Sequence, residues 1–181
     1  MTQTIFSLAE GIRKCTSCPL WKGRTLTVPG EGMNTSKIML IGEAPGVEED
    51  RQGLPFFGKS GTVLDEMINL AGISRKDTFI TGAVKCHPPK NRNPSNKELK
   101  TCRELWLDKQ IEVIKPKLII LLGKSALFSM IGKGKITEIH GKTISKKYFV
   151  TYHPSAAMRF PTIKQEMEQD FKILGKLLKK L

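Results

Sequence analysis

Four continuous apolar runs alternate with segments of helical spacing along the 181-residue chain. The runs lie in SKIMLIGEAPG, DTFITGAVKC, KPKLIILLG and YFVTYHPSAAM, and the helical segments include residues 58–73, 95–114 and 162–181. Strands that are apolar throughout are buried on both faces, which is typical of a parallel sheet covered by helices. The sequence therefore predicts an α/β fold around a central, mostly parallel four-stranded sheet.

Local signals and length support one compact unit. Ser95 and Glu98 form a capping-box pattern at the start of a helix, and Gly72 is suited to close another. A chain of 181 residues is long enough for one sizeable core and short for two. We expect residues 1–181 to form a single domain.

The strand ends carry the unusual loops. GEAPG, KCHPPKNRNP and HPSAAMR each follow a predicted strand. In open parallel sheets, ligands bind beyond the carboxyl ends of the strands. The three loops are therefore expected to meet on one rim and to form the functional site.

Charge indicates the class of partner. The formal net charge of +13 favours an anionic polymer, to which phosphate contacts give salt-dependent affinity. The alternative is a lysine-rich solvated surface of the kind found in heat-adapted proteins. The sequence has no run apolar enough to span a bilayer and no signal-peptide pattern, so we expect an intracellular, cytoplasmic protein.

Four cysteines suggest a metal site. Cys15 and Cys18 form the CxxC of CTSC, Cys86 ends a predicted strand, and Cys102 lies in a predicted helix. A Cys₄ set suits zinc or an iron–sulfur cluster, and the wide spacing favours a [4Fe–4S] cluster. The alternative is a CxxC redox motif with two buried thiols. A metal at Cys86 would join the N-terminal segment and the Cys102 helix to the rim.

Three side chains in the loops that follow the predicted strands are suited to catalysis or ligand binding. Glu43 can orient water or stabilise a developing cation, Phe56 can stack on a planar ligand, and His153 offers an imidazole. Each also has a structural reading: loop ordering for Glu43, core packing for Phe56 and a satisfied structural histidine for His153.

Together, these motifs resemble the family 4 uracil-DNA glycosylases, the iron–sulfur enzymes of the thermophile type. The resemblance runs nearly end to end, through CTSCPLWKGRT, VPGEG, IGEAPGVEEDRQGLPFFGKSG, VKCHPPKNRNP, LLG and TYHPSAAMR. It implies a three-layer α/β/α sandwich and a [4Fe–4S] cluster on Cys15, Cys18, Cys86 and Cys102. It also implies hydrolysis of the N-glycosidic bond of deoxyuridine in DNA, with no dissociable cofactor.

The implied chemistry assigns roles to the rim. A base must leave the duplex to be cut, and its departure places negative charge on uracil and positive charge on the sugar. His153 and the amides near Glu43 and Ala44 are expected to stabilise the uracil oxygen. Phe56 is expected to stack on the base, and Glu43 to position water or offset the cationic sugar. Substrate contacts are also expected from Gly42, Gly82 and Asn91. No lysine is implicated as a nucleophile, so the product would be an abasic site.

DNA contacts are expected from the surrounding loops. Met158 and Arg159 would wedge into the stack vacated by the base. The other expected DNA-binding residues are Lys85, Lys90, Arg92 and Ser155. Ser155 stands where the family commonly has Ala, a change expected to matter little.

Gly82 departs from the family pattern. The strand reads ITGAVKC, where family members usually have an Asn that pairs with the polar edge of uracil. Loss of such a buried hydrogen bond costs on the order of 1–3 kcal/mol. Three outcomes are open: another side chain or a water replaces the Asn, the pocket accepts other deaminated or damaged bases, or the protein is a weak or inactive relative. We expect an active glycosylase with altered base choice.

Two other functions fit parts of the pattern. A non-catalytic protein that binds damaged DNA and has a structural metal cluster would share the basic surface and the cysteines. A redox regulator would use only CTSC. We expect a monomer whose partner is single- or double-stranded DNA, with a sliding clamp as a candidate protein partner and no membrane.

Overall fold

The computed structural model describes residues 3–179 and contains a six-stranded mixed sheet. The strands are β1 (Glu31–Gly32), β2 (Ile38–Gly42), β3 (Thr78–Gly82), β4 (Leu118–Leu122), β5 (Thr143–Ile144) and β6 (Tyr148–Thr151). Their order is β1-β3-β2-β4-β6-β5. The four central strands are parallel, as predicted, and the two edge strands pair antiparallel.

The sheet is wider than the four strands expected from the sequence. The additional strands, β1 and β5, have two residues each. Segments of that length show no periodicity, and only their pairing partners define them as strands. The α/β class and the parallel centre are confirmed.

Helices occupy most of the remaining chain. They are α1 (Ile5–Arg13), α2 (Val47–Gln52), α3 (Lys59–Leu70), α4 (Asn96–Cys102), α5 (Asp108–Ile114), α6 (Lys124–Ile131), α7 (Ile136–Ile139), α8 (Pro154–Arg159) and α9 (Pro161–Leu178). Short 3₁₀ turns cover Pro19–Lys22, Arg75–Asp77 and Pro89–Asn91. The predicted loops after β2 and β6 differ from the structure, because each contains a six-residue helix, α2 and α8.

Two cores lie on opposite faces of the sheet. On one face, Ile41 and Leu121 pack with residues of α4, α5 and α6. On the other face, Leu40 and Ile120 pack with residues of α3, α8 and α9. Successive strand residues point to opposite faces, so each central strand contributes to both cores. This arrangement is the three-layer sandwich that the resemblance implies.

The helix around Cys102 is interrupted by a π segment. Ser95 caps α4, since its hydroxyl accepts from the Glu98 amide at 3.3 Å and the Glu98 carboxylate accepts from the Ser95 amide at 2.7 Å. The π segment, Arg103–Leu107, follows Cys102 directly and leads into α5. Such segments are frequent at functional sites.

The register of the sheet places the loops on one rim. Gly42, the last residue of β2, is the Cα partner of Gly82, the last residue of β3. β4 and β6 run parallel to them, so the four carboxyl ends share one edge. No helix within residues 3–179 combines the length and apolar character needed to cross a membrane.

Candidate active site

A cavity of about 390 Å³ opens at the rim of the sheet. That volume is within the range of small-molecule sites. Predicted residues that line it are Gly42, Glu43, Ala44, Phe56, Gly82, Asn91, Arg92, His153, Ser155 and Arg159. The loops after β2, β3 and β6 therefore share one cavity, as the sequence predicts.

Phe56 and His153 form one wall of the cavity. Their ring centroids are 5.6 Å apart, and the rings are tilted by 30°. A Cβ on Gly42 would lie 2.6 Å from Phe56 Cζ and 3.7 Å from His153 Nε2. Gly42 is therefore required for the close approach of the phenyl ring to β2. Phe56 has φ of 49°, an uncommon conformation that its loop imposes.

The imidazole of His153 has a fixed proton arrangement. His153 Nδ1 accepts from the Ser155 amide at 3.2 Å and lies 2.8 Å from the Ser155 hydroxyl. Burial lowers the pKa of His153 to about 4, and the nearby Arg159 also lowers it, whereas Glu49 opposes the shift. The ring is therefore neutral near pH 7, with its proton on Nε2, on the side facing Gly42. A neutral N–H donor points towards the cavity.

Glu43 is held by a residue from another strand end. It follows β2 directly and is half-buried. The hydroxyl of Ser125, in the first turn of α6, donates a short hydrogen bond to Glu43 Oε2. Ser125 is itself 8% exposed. The carboxylate therefore has one oxygen fixed by the protein.

Gly82 leaves no open space for a side chain. A Cβ there would be 2.7 Å from the Val84 carbonyl oxygen and 3.5 Å from the Glu43 carbonyl oxygen. Carbonyl oxygens do not move freely, so even Ala at this position requires a backbone shift. A larger residue at position 82 therefore requires a change in the main chain as well as room for its side chain.

The expected DNA contacts fall into two groups. Arg92 and Arg159 are exposed and line the cavity, and Ser155 contacts His153. Lys90 and Met158 are exposed and directly precede the lining residues Asn91 and Arg159 in the chain. Arg92 also makes a two-pronged contact with Glu98, at 2.8 and 2.7 Å. That guanidinium and the Ser95 amide lower the pKa of Glu98 to about 2.

Lys85 does not belong to this surface. Its side chain is 2% exposed and points into the interior. The expectation of a phosphate contact from Lys85 is therefore wrong in this structure. The cause is a set of buried acceptors from Thr81, Gly82 and Gln110, which the local sequence does not reveal.

The four cysteines line a single small pocket beside the cavity. All four are free thiols, and Cys86 and Cys102 are buried. The Arg24 guanidinium donates to Cys86 Sγ at 3.2 Å, and Trp106 Nε1 donates to Cys15 Sγ at 3.2 Å. Burial raises the pKa of Cys102 to about 12, against the opposing effect of Lys85.

The donor set of this pocket fits a bound metal group. Thiolates are the ligands of zinc and iron–sulfur sites, and N–H donors to sulfur are common around such ligands. As the side chains stand, no three His, Cys, Asp or Glu residues within 3–179 are close enough to hold one metal ion.

Comparison with known proteins assigns the family. The model of the uracil DNA glycosylase superfamily matches residues 29–174. The chain belongs to the uracil DNA glycosylase superfamily. The matched range contains the whole sheet and every residue that lines the cavity except Val28.

Several superfamily members are similar over most of the chain. The type-4 uracil-DNA glycosylase of Sulfurisphaera tokodaii is 42% identical over 94% of this chain and 83% of its own length. That of Archaeoglobus fulgidus is 36% identical over 97% of this chain and 94% of its own length. The type-5 uracil-DNA glycosylase of Pyrobaculum aerophilum is 30% identical over 82% of this chain and 73% of its own length.

Two residues at or beside the cavity were missed by the sequence interpretation. Glu49 is buried in the cavity wall, and its carboxylate accepts from the Gly46 amide at 3.1 Å and the Gly58 amide at 3.0 Å. It thereby ties together the two ends of the loop that carries Phe56. Its position three residues after the N-cap Gly46 matches the Glu half of a capping box, but glycine lacks the side chain that completes the pattern. The second, Ser125, follows β4 by three residues, a position that the strand-end rule could have indicated.

Proposed function

We propose that this protein is a monofunctional DNA glycosylase that hydrolyses the N-glycosidic bond of deoxyuridine in DNA and leaves an abasic site. The convergence of Glu43, Phe56 and His153 on one cavity carries the proposal. The type-4 uracil-DNA glycosylases that resemble the chain over most of their length support it. They favour the enzyme over a non-catalytic binder of damaged DNA.

The first step is capture of an extruded base. A base inside the stack is unreachable, so uracil must rotate out of the duplex into the cavity. Phe56 would stack on its face, and the tight approach of Phe56 to Gly42 fixes where that face lies. Met158, 45% exposed on α8, would fill the vacated stack.

The second step is stabilisation of departing uracil. When the glycosidic bond breaks, its electron pair goes to the base, and negative charge accumulates on a carbonyl oxygen of uracil. His153 would donate its Nε2 proton in a hydrogen bond to that oxygen. A donor already fixed by Ser155 does not have to reorient as the charge develops.

The third step is attack by water at the sugar. Glu43, held by Ser125, would orient the water or offset the cationic sugar. Water gives its oxygen to C1′ and its proton to the departing base or to the carboxylate, so the products are uracil and an abasic site. The amides of the loop after β2 offer further hydrogen bonds to the substrate.

We further propose that Cys15, Cys18, Cys86 and Cys102 hold a [4Fe–4S] cluster. Such a cluster would crosslink the segment before the sheet, the loop after β3 and α4, which all contribute to one pocket. The prediction that Cys86 ends a strand is wrong, because β3 ends at Gly82 and Cys86 lies in the following loop. The sulfur ligands and their N–H donors from Arg24 and Trp106 support this assignment.

A strand-scission assay tests the activity. Purified protein is incubated with oligonucleotides that contain uracil, hypoxanthine or thymine opposite guanine, and the products are treated with alkali. We expect breaks at uracil that appear only after alkali, and their loss in the Glu43→Gln variant. Binding without breaks at any of the three bases would overturn the proposal and favour the binder. Breaks at hypoxanthine as well would establish the altered base choice.

A further inference from the structure

Lys85 is a fully buried lysine between the cavity and the cysteine pocket. Its Nζ donates to Thr81 Oγ1 at 2.6 Å, to the Gly82 carbonyl at 2.9 Å and to Gln110 Oε1 at 2.7 Å. An ammonium has three N–H donors and no acceptor. Three acceptors around one nitrogen therefore match its charged form.

The neighbouring groups keep those acceptors in place. The Thr81 hydroxyl donates to the Pro29 carbonyl at 2.9 Å, and Gln110 Nε2 donates to the same carbonyl at 2.8 Å. The hydroxyl proton of Thr81 and a side-chain amide N–H of Gln110 are thus already hydrogen-bonded to Pro29. Their oxygens are left to accept from Lys85.

The ammonium of Lys85 has no carboxylate partner among residues 3–179. Burial of an ammonium is unfavourable unless an opposite charge compensates it. No carboxylate within residues 3–179 forms an ion pair with Lys85. Lys85 instead lines the small pocket of the four cysteines, and it directly precedes Cys86 in the chain.

We infer that Lys85 is the buried counter-charge of the four-cysteine site and the positioning residue that connects this site to the cavity wall at Gly82. The inference rests on the proposed function, because it takes the four cysteines as thiolate ligands of a cluster. Their net negative charge would compensate the ammonium, and the ammonium would hold the Gly82 carbonyl. The same lysine would thereby stabilise both the cluster and the end of β3.

Iron release tests this link. Holoprotein is exposed to a ferrous chelator, and loss of the visible absorption of the cluster is followed for the wild type and for Lys85→Met, Lys85→Arg and Lys90→Met. Loss of a partner that supports metal ligands typically weakens binding by about tenfold or more, so Lys85→Met should release iron about tenfold faster. Lys85→Arg should stay closer to the wild type because it keeps the charge. Lys90→Met removes an exposed charge five residues away and should match the wild type.

A second variant keeps the test decisive if Lys85→Met does not fold. Gln110→Glu is nearly isosteric and places a carboxylate at the acceptor position beside Nζ. The new carboxylate would form an ion pair with Lys85 and weaken the interaction of the ammonium with the cysteine thiolates. Iron release should therefore again be faster than in the wild type. Release rates equal to the wild type in the soluble variants would overturn the inference. A wild-type protein that contains no iron would instead overturn the cluster assignment on which it rests.

Discussion

The hydroxyl of Ser125 donates a hydrogen bond to one carboxylate oxygen of Glu43, and it does so across two neighbouring strand ends. β2 supplies the carboxylate, and the helix after β4 supplies the donor. Because β2 and β4 pair in parallel, their carboxyl ends are brought together by the sheet itself. The sheet topology therefore places the Ser125 hydroxyl where it fixes the orientation of the proposed catalytic carboxylate.

Ser125→Ala is expected to slow uracil excision. An unmade hydrogen bond at a buried group costs about 1–3 kcal/mol, which corresponds to roughly a 5- to 150-fold lower single-turnover rate. Affinity for the uracil-containing oligonucleotide should remain close to the wild type, because Ser125 is buried behind Glu43. Single-turnover kinetics and DNA binding measured on the same preparation separate the two effects.

A matched control lies one turn along the same helix. Ser129 is also buried in α6, but its hydroxyl has no hydrogen-bond partner within residues 3–179. Ser129→Ala should therefore leave the rate unchanged, and Ser125→Thr, which keeps a hydroxyl, should recover much of it. Equal rates for Ser125→Ala and Ser129→Ala would show that Glu43 does not depend on this contact.

His153 is expected to make stability depend on pH. Burial depresses its pKa to about 4 in the folded protein, against about 6.5 in an unfolded chain. Between these values the unfolded chain binds a proton that the folded protein does not, so stability is full above pH 6.5 and is lost as the pH falls towards 4. At pH 5 the loss should be about 1–2 kcal/mol relative to pH 7.

Urea unfolding at both pH values measures this dependence. The variant His153→Gln lacks the titrating group and serves as the reference for all other groups. The wild type should lose more stability than His153→Gln between pH 7 and pH 5. An identical loss in the two proteins would contradict a neutral, buried imidazole.

Much of the cavity follows from rules that act locally and at strand ends. Phe56 lies beyond α2 and is positioned by tertiary contacts, but Glu43 and His153 follow apolar runs whose length and composition define parallel strands, and parallel strands place their ends together. The pattern therefore predicts convergence of Glu43 and His153 without tertiary information. α2 and α8 were missed because six residues do not establish a helical period.

Contacts between distant segments explain what the sequence pattern did not predict. Lys85 precedes Cys86 at the start of a basic loop and resembles a surface cation. Its burial depends on Gln110, 25 residues away, and on a carbonyl at Pro29 that orients both side-chain acceptors. Ser125 likewise gains its role from a partner 82 residues away.

Lys90 is expected to contribute to DNA affinity through salt-dependent contacts. Its side chain is exposed and directly precedes Asn91, which lines the cavity, and each phosphate contact accounts for a slope of about −0.9 in log affinity against log salt. Lys90→Ala should therefore make this slope less negative by about 0.9, the value of one phosphate contact. Binding titrations at several salt concentrations measure the change. Lys133, an exposed lysine beyond the far end of α6, provides the control, and Lys133→Ala should leave the slope unchanged.

Gly82 is expected to control both stability and base choice. A Cβ at this position would lie 2.7 Å from the Val84 carbonyl oxygen, so Gly82→Ala and Gly82→Asn should both lose about 1–3 kcal/mol of stability in urea unfolding. Only Asn adds a carboxamide that matches the adjacent N–H and carbonyl of uracil. The ratio of single-turnover rates on uracil and on other deaminated bases should therefore rise in Gly82→Asn relative to Gly82→Ala. Comparison with Gly82→Ala removes the steric effect that the two variants share. Equal ratios in the two variants would mean that uracil is recognised elsewhere in the cavity.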